Sequence, residues 1–97
     1  MAKAVLLFED REVMADGSIV QMKIWDLPEP VPPSEHRFKY SLFFGRPGER
    51  VIGFDNERGK GDHQHIEGIE SPYVFRGPAQ LIEDFKAAVR AVAGVKL

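Results

Sequence analysis

Residues 38–48 read Phe38-Lys39-Tyr40-Ser41-Leu42-Phe43-Phe44-Gly45-Arg46-Pro47-Gly48, and this stretch predicts a β-strand that ends in a tight turn. Alternate side chains of a strand point to opposite faces. One face therefore carries Phe38, Tyr40, Leu42 and Phe44, and the other carries Arg37, Lys39 and Ser41. The glycines and the proline of residues 45–48 favour a hairpin. Residues 51–54 return as the next strand, with Ile52 and Phe54 on one face.

The sequence before this hairpin predicts two further strands. Residues 4–8 form an apolar run, and Asp16-Gly17 supplies the positive φ angles of a tight hairpin turn. From residue 19 onward, Val20, Met22 and Ile24 alternate with Gln21, Lys23 and Trp25. Residues 27–33 contain four prolines, which fix φ and remove hydrogen-bond donors. We expect this segment to be a stiff, extended connector at the edge of the sheet.

The sequence after the hairpin predicts a short strand and then a helix. Residues 72–76 are typical of a last strand. Pro78 suits the first helical position, and Gly94 suits the stop after the last turn. An apolar stripe at helical spacing joins these two points. It consists of Leu81, Ile82, Phe85, Ala88, Val89 and Val92, with Glu83, Asp84, Lys86 and Arg90 on the solvent side.

These elements predict an α+β fold. We expect an antiparallel β-meander of about five to six strands, with one C-terminal amphipathic helix packed on a face. The chain has 97 residues, enough for one domain and too few for two. The prediction is a single domain over residues 1–97, strand-rich over 1–76 and helical over about 78–93.

Composition and charge exclude several classes of protein. The chain is 43% hydrophobic and 29% charged, which is typical of a globular domain rather than a disordered one. No apolar run reaches the ~20 residues of a membrane helix, so no membrane association is expected. The net charge of −2 disfavours stable non-specific DNA binding by this chain alone. The absence of cysteine excludes disulfides and thiolate chemistry and fits a cytoplasmic protein.

The candidate chemistry lies in residues 55–65, which read Asp55-Asn56-Glu57-Arg58-Gly59-Lys60-Gly61-Asp62-His63-Gln64-His65. This block has no apolar residue in eleven positions, more than a hairpin connection needs. If His63 and His65 lie on a strand, their side chains share a face. The density of acids, bases and glycines favours a functional site.

Three interpretations of this block remain open. His63 and His65 can act as acid and base in phosphodiester cleavage, with Arg58 or Lys60 stabilising the phosphorane. Alternatively, they can bind a metal with an oxygen ligand from Asp55, Glu57 or Asp62. Finally, they can be polar residues on an exposed strand.

Other residues near the block have weaker functional patterns. If the strand that follows His36 pairs beside residues 51–54, Arg37, Lys39 and residues 55–65 line one groove. Trp25 and Phe43 lie on the polar strand faces, where protein contact or packing is favoured over base stacking. No phosphate-binding loop, dinucleotide fingerprint or activated serine is present.

Several stretches together resemble the TumE family of small toxin–antitoxin proteins. Residues 55–66, Tyr73-Val74-Phe75 and Leu81-Ile82-Glu83-Asp84-Phe85 carry the resemblance most clearly. Residues 15–20, Trp25, residues 28–34 and residues 38–42 extend it over nearly the whole chain. There are two departures from the family pattern. Many members have consecutive histidines where this chain has Asp62-His63, and Gln64 stands where a lysine or arginine is common.

The resemblance implies a prokaryotic toxin encoded beside an antitoxin. The antitoxin of such a pair is usually a helix-turn-helix protein that neutralises the toxin and binds the operon DNA. A ribonuclease activity follows only by analogy with other small α+β toxins.

The leading hypothesis combines the polar block with this resemblance. It is a cytoplasmic toxin that acts on RNA without a tightly held cofactor. His63 and His65 carry the acid–base work, Arg58 and Lys60 neutralise phosphate charge, and Asp55 or Asp62 orients an imidazole.

Two alternatives belong to other classes. The first is a divalent-metal protein that uses His63, His65 and Asp55. The second is a non-enzymatic interaction module that binds its partner through the 28–33 edge and exposed aromatic residues such as Trp25. An exposed edge strand also favours a homodimer.

Overall fold

The computed structural model describes residues 3–95 and 97, and the fold over these residues is α+β. The strands are β1 (Val5–Val13), β2 (Ile19–Asp26), β3 (Phe38–Arg46), β4 (Glu49–Glu57), β5 (Gly61–Ile66) and β6 (Ile69–Pro72). They form one antiparallel sheet in the order β1-β2-β3-β4-β5-β6, and the helix α1 (Pro78–Ala93) follows. The predicted meander with one C-terminal helix is confirmed.

The core lies between α1 and one face of the sheet. Each strand from β2 to β4 contributes alternate apolar side chains, as the period of two predicts. The helix packs on β4 and β3. The buried apolar side chains are Val20, Met22, Ile24, Tyr40, Leu42, Phe44, Ile52, Phe54, Leu81, Phe85 and Val89.

Helix α1 begins and ends as the sequence predicts. Pro78 lies in the first turn, where the missing N–H would have had no intrahelical partner. Gly94 adopts a left-handed conformation and donates its N–H to the carbonyl of Arg90. A glycine makes this turn without the steric cost that a Cβ would add.

The structure corrects three of the predicted boundaries. Strand β1 extends to Val13, beyond the predicted 4–8, because backbone pairing with β2 continues through charged residues on an exposed strand. The last strand is Ile69–Pro72, not 72–76, and residues 73–77 cross beside the core in irregular conformation. Residues 55–65 were expected to be longer than a hairpin connection needs. They are instead part of a hairpin, formed by the end of β4, a turn over residues 58–60 and most of β5.

The second face of the sheet carries no other element within the described residues. We call it the open face; on β4 and β5 it bears Gly53, Asp55, Glu57, His63 and His65. These positions follow from the register, in which Asp55 lies opposite His63 and Gly53 lies opposite His65. Asn56 and Asp62 are paired with each other and point to the helix side. The polar block is therefore divided between two environments.

Candidate functional site

The central feature of the open face is a contact between His63 and Asp55. His63 Nε2 lies 2.5 Å from Asp55 Oδ1, and His63 is only 5% exposed. Its Nδ1 lies 3.0 Å from the carbonyl oxygen of Gly61, which can only accept a hydrogen bond. Nδ1 is thus the donor. Because a neutral imidazole has only one N–H, the Nε2–carboxylate contact needs one more proton, or a cation, between its two atoms.

His65 contacts an arginine. Arg50 donates from Nη2 to His65 Nδ1 at 2.9 Å, which places the proton of the neutral ring on Nε2. The Arg50 side chain lies across Gly53, where a Cβ would come within 2.7 Å of Arg50 Cδ. Arg50 Nη1 also lies 3.8 Å from Asp55 Oδ2. Arg50 therefore links the two histidines through its contacts with His65 and Asp55.

The two predicted phosphate-binding residues lie in the β4–β5 turn. Lys60 forms an ion pair with Glu70 of β6 at 2.7 Å, and Arg58 is exposed. The hydrogen bond between Lys60 and Glu70 raises the pKa of Lys60 and lowers that of Glu70. A cleft of about 220 Å³ lies beside this pair. Its lining includes Lys60, Glu70 and His63, so the buried imidazole borders an open cleft.

One set of ligand atoms on the open face has the spacing of a metal site. Asp55, Glu57 and His63 each offer a ligand atom, and these atoms all lie within 4.8 Å of one another. The predicted ligand set was His63, His65 and Asp55, so Glu57 takes the place of His65 in this group. The Nδ1 of His65 instead accepts its hydrogen bond from Arg50.

Asp62 does not contact either predicted histidine. It lies on the helix side and accepts hydrogen bonds from Ser34 at 2.5 Å, His36 Nε2 at 2.6 Å and Tyr40 at 2.8 Å. The backbone N–H of Phe38 donates to His36 Nδ1, which fixes Nε2 as the donor to Asp62. The imidazole that Asp62 orients is thus His36, not His63 or His65.

Hydrogen bonding controls the ionisation of this second network. Burial acts to raise the pKa of Asp62, but the three donated hydrogen bonds outweigh it and hold the pKa below its usual value. Burial, together with the hydrogen bond to Asp62, raises the pKa of Tyr40. A cleft of about 490 Å³ borders the network. Its lining residues are Pro33, Ser34, Glu35, His36, Asp62, Tyr73 and Phe75.

The proline-rich connector packs against the same hairpin. The N–H of Gly59 donates to the carbonyl of Pro32 at 2.9 Å, and a Cβ on Gly61 would lie 3.0 Å from Pro33 Cγ. The connector therefore supports the turn from which His63 is held. The predicted groove forms only in part: Lys39 donates to the carbonyl of Asn56, whereas Arg37 lies 3.9 Å from Asp26 on β2.

Sequence reasoning missed several members of these networks. Arg50 was not singled out, although Gly53 inside a strand is a known sign of close approach by another group. Ser34 was not singled out, and Tyr40 was predicted only as part of the apolar face of the strand that begins at Phe38. Nothing in a single sequence predicts their contacts with Asp62, which lies 28 residues after Ser34 and 22 residues after Tyr40.

Comparison with known proteins identifies the class. The fold is a small α+β meander whose open face carries a histidine–carboxylate pair, and the family model described as Toxin TumE matches residues 3–93. The chain belongs to the TumE toxin family. No match was found among curated proteins or among solved structures. No helix in the described residues is long and apolar enough to cross a membrane.

Proposed function

We propose that this chain is the toxin of a toxin–antitoxin pair and that it cleaves RNA at its open face. Family membership supports the toxin role and suggests an antitoxin partner. The observation that carries the RNA proposal is the Asp55–His63 contact at 2.5 Å beside the Arg50–His65 contact at 2.9 Å. An RNA target would place the action of the protein in the cytoplasm.

The chemistry requires two proton transfers. In RNA transesterification the 2′-hydroxyl loses a proton as its oxygen attacks phosphorus, and the departing 5′-oxygen gains one. The Asp55–His63 pair, once deprotonated, is the candidate base, because the carboxylate stabilises the imidazolium that forms. His65 keeps its proton on Nε2 because Nδ1 accepts from Arg50, so this N–H is the candidate hydrogen-bond donor to the phosphoryl group. The proton that the Asp55–His63 pair takes from the 2′-hydroxyl is then the candidate proton for the departing 5′-oxygen.

Positive charge near these groups would stabilise the phosphorane. Arg50 is within reach of both histidines through its contacts with His65 and Asp55. Lys60 borders the same cleft as His63, and a phosphate there would compete with Glu70 for its ammonium. Arg58 adds an exposed guanidinium to the adjoining turn.

The test is induced expression in a bacterial host, with growth and total RNA integrity as readouts. We expect growth arrest and RNA loss with the native chain, and neither with the double variant His63→Ala/His65→Ala. His36→Ala is the matched control, because it removes a histidine from the helix side only. All variants are first compared by thermal unfolding. Growth arrest and RNA loss that persist in the double variant would contradict the site.

A divalent-metal site is the second candidate, and the grouping of Asp55, Glu57 and His63 favours it. The Nδ1–H of His63 donates to a backbone carbonyl, the arrangement that directs Nε2 of a histidine towards a metal. A cation could replace the proton between Nε2 and Asp55. Imidazole with carboxylate oxygens suits zinc or manganese.

Calorimetric titration of the purified chain with Zn²⁺ and Mn²⁺ tests this candidate. Glu57→Gln should weaken metal binding by about tenfold or more, whereas His65→Gln should leave it unchanged. If His65→Gln weakens metal binding and Glu57→Gln does not, the ligand set predicted from sequence, with His65 in place of Glu57, is favoured. RNA cleavage that continues in excess chelator would assign the activity to the metal-free mechanism.

A further inference from the structure

Strand β1 is a long edge strand of the sheet, and its protection consists of a register shift between Leu6 and Phe8 and the charged residues 9–12. It pairs only with β2, and all nine of its residues are exposed. Natural edge strands are commonly short or blocked by lysine or proline, because unpaired N–H and C=O groups invite another strand. The opposite edge, β6, is four residues long and ends at Pro72. Strand β1 contains neither lysine nor proline.

The exposed apolar side chains of the molecule concentrate on this strand. Among the described residues, the exposed large apolar side chains are Val5, Leu6, Leu7, Phe8, Val13, Ile69 and Val74. Four of these are consecutive at the start of β1, and Leu6 and Leu7 are 48% and 50% exposed. Contiguous exposed apolar surface beside free backbone groups marks a site of strand addition.

The second half of β1 is acidic. Residues 9–12 read Glu9-Asp10-Arg11-Glu12, with three acids and one base. Asp10 and Glu12 line a groove of about 180 Å³ between β1 and α1, together with Lys86 of α1 and apolar side chains that include Phe8 and Met22. Lys86 and the ion pair of Glu9 with Lys23 of β2 at 3.2 Å balance part of this acidic charge, and residues 9–12 themselves keep a net charge of −2.

This charge pattern decides between two occupants. If two copies of β1 paired antiparallel over their full length, the apolar half of each strand would face the acidic half of the other. A partner strand complements the whole of β1 only if it is basic opposite residues 9–12 and apolar opposite residues 5–8. In antiparallel pairing its basic residues come first along its chain.

We propose that β1 is the docking strand for the antitoxin, which adds an extended, basic-then-apolar segment as a seventh strand. This inference rests on the proposed toxin–antitoxin pairing. It assigns the interface to β1 rather than to the 28–33 connector. It also leaves the open face outside the interface, since strand addition occurs at the edge of the sheet.

The experiment measures binding of the native chain to the protein encoded by the adjacent gene. The double variant Leu6→Lys/Leu7→Lys should weaken binding by at least about tenfold, because it places two charges at the apolar half. Ile69→Lys/Val74→Lys is the matched control and should bind as the native chain does. Amide exchange of residues 5–13 should slow on complex formation.

The possible results distinguish a wrong assignment of the docking strand from a wrong proposal of toxin–antitoxin pairing. A complex that survives both β1 substitutions would overturn the docking assignment while leaving the pairing intact. If the native chain forms no complex, the proposed toxin–antitoxin pairing is contradicted. The antitoxin is then also ruled out as the partner that binds β1. Self-association of the native chain that Leu6→Lys/Leu7→Lys abolishes would identify a second copy as the occupant and overturn the proposal.

Discussion

Asp62 is the residue whose replacement should most clearly separate structure from chemistry. It accepts hydrogen bonds from Ser34, His36 and Tyr40, and Tyr40 is fully buried. Asn in its place offers one acceptor oxygen and no charge, so at least one donor loses its partner. We expect Asp62→Asn to lower the free energy of unfolding by about 2 kcal/mol, measured by urea denaturation. Unchanged stability would show that water replaces these contacts.

The same residue predicts a pH dependence. The pKa of Asp62 is lower in the folded chain than its ordinary value, so the unfolded chain takes up the proton first as pH falls. Its stabilising contribution is therefore complete above about pH 4 and is lost as pH falls through the folded pKa. The stability of Asp62→Asn should fall less steeply between pH 4 and pH 2. Parallel curves for both chains would contradict this assignment.

Gly53 tests how Arg50 reaches His65. A methyl group at residue 53 would approach Arg50 Cδ to 2.7 Å, so the arginine side chain must move. We expect Gly53→Ala and Arg50→Ala to produce the same change in the ¹⁵N chemical shifts of His65, because both remove the donor to Nδ1. Ser41→Ala, an exposed position on β3, is the control. A His65 tautomer that Gly53→Ala leaves unchanged would mean that Arg50 finds another path.

At the scale of single residues, the sequence predicts the sheet face of a side chain better than it predicts which residue that side chain contacts. Strand alternation correctly places His63 and His65 on one face, and it puts Asp62, the neighbour of His63, on the other. It does not bring Asp55 to His63, because only the pairing register of β4 with β5 sets these two residues opposite each other.

At the scale of elements, the connector and the β4–β5 hairpin depend on each other. Gly59 and Gly61 have nearly equal φ angles of 81° and 80°, so alanine carries a similar backbone cost at either position. Only at Gly61 would the new Cβ meet Pro33, at 3.0 Å. We expect Gly61→Ala to destabilise the chain by about 1 kcal/mol more than Gly59→Ala does, measured by thermal unfolding. Equal losses would mean that the connector adjusts freely.

The elements that the sequence predicts best are those with a strong internal pattern. Helix α1 begins at Pro78 and ends at Ala93 as predicted, because its apolar stripe and its terminal proline and glycine agree. Strand β1 was predicted too short and strand β6 was misplaced, since neither has alternation imposed by a core. Their bounds come from backbone pairing with β2 and β5, which a single sequence does not encode locally.

For the whole molecule, the arrangement of sheet and helix predicts a gradient of local stability. Helix α1 covers β3 and β4, which also have a paired strand on each side, whereas β1 has one neighbour and no covered face. Amides that depend on few buried contacts open most easily. We expect hydrogen exchange at β1 to be faster than at β3 and β4 by about tenfold or more.

This gradient connects stability with the docking proposal. A strand that opens readily in the free toxin gains the most protection when a seventh strand pairs with it, so exchange at β1 should slow more than at β6 in the antitoxin complex. The measurement compares free and bound chains by mass spectrometry at several toxin concentrations. Exchange at β1 as slow as at β3 in the dilute free chain would contradict the gradient. If protection instead rises with toxin concentration alone, the edge is covered by a second copy.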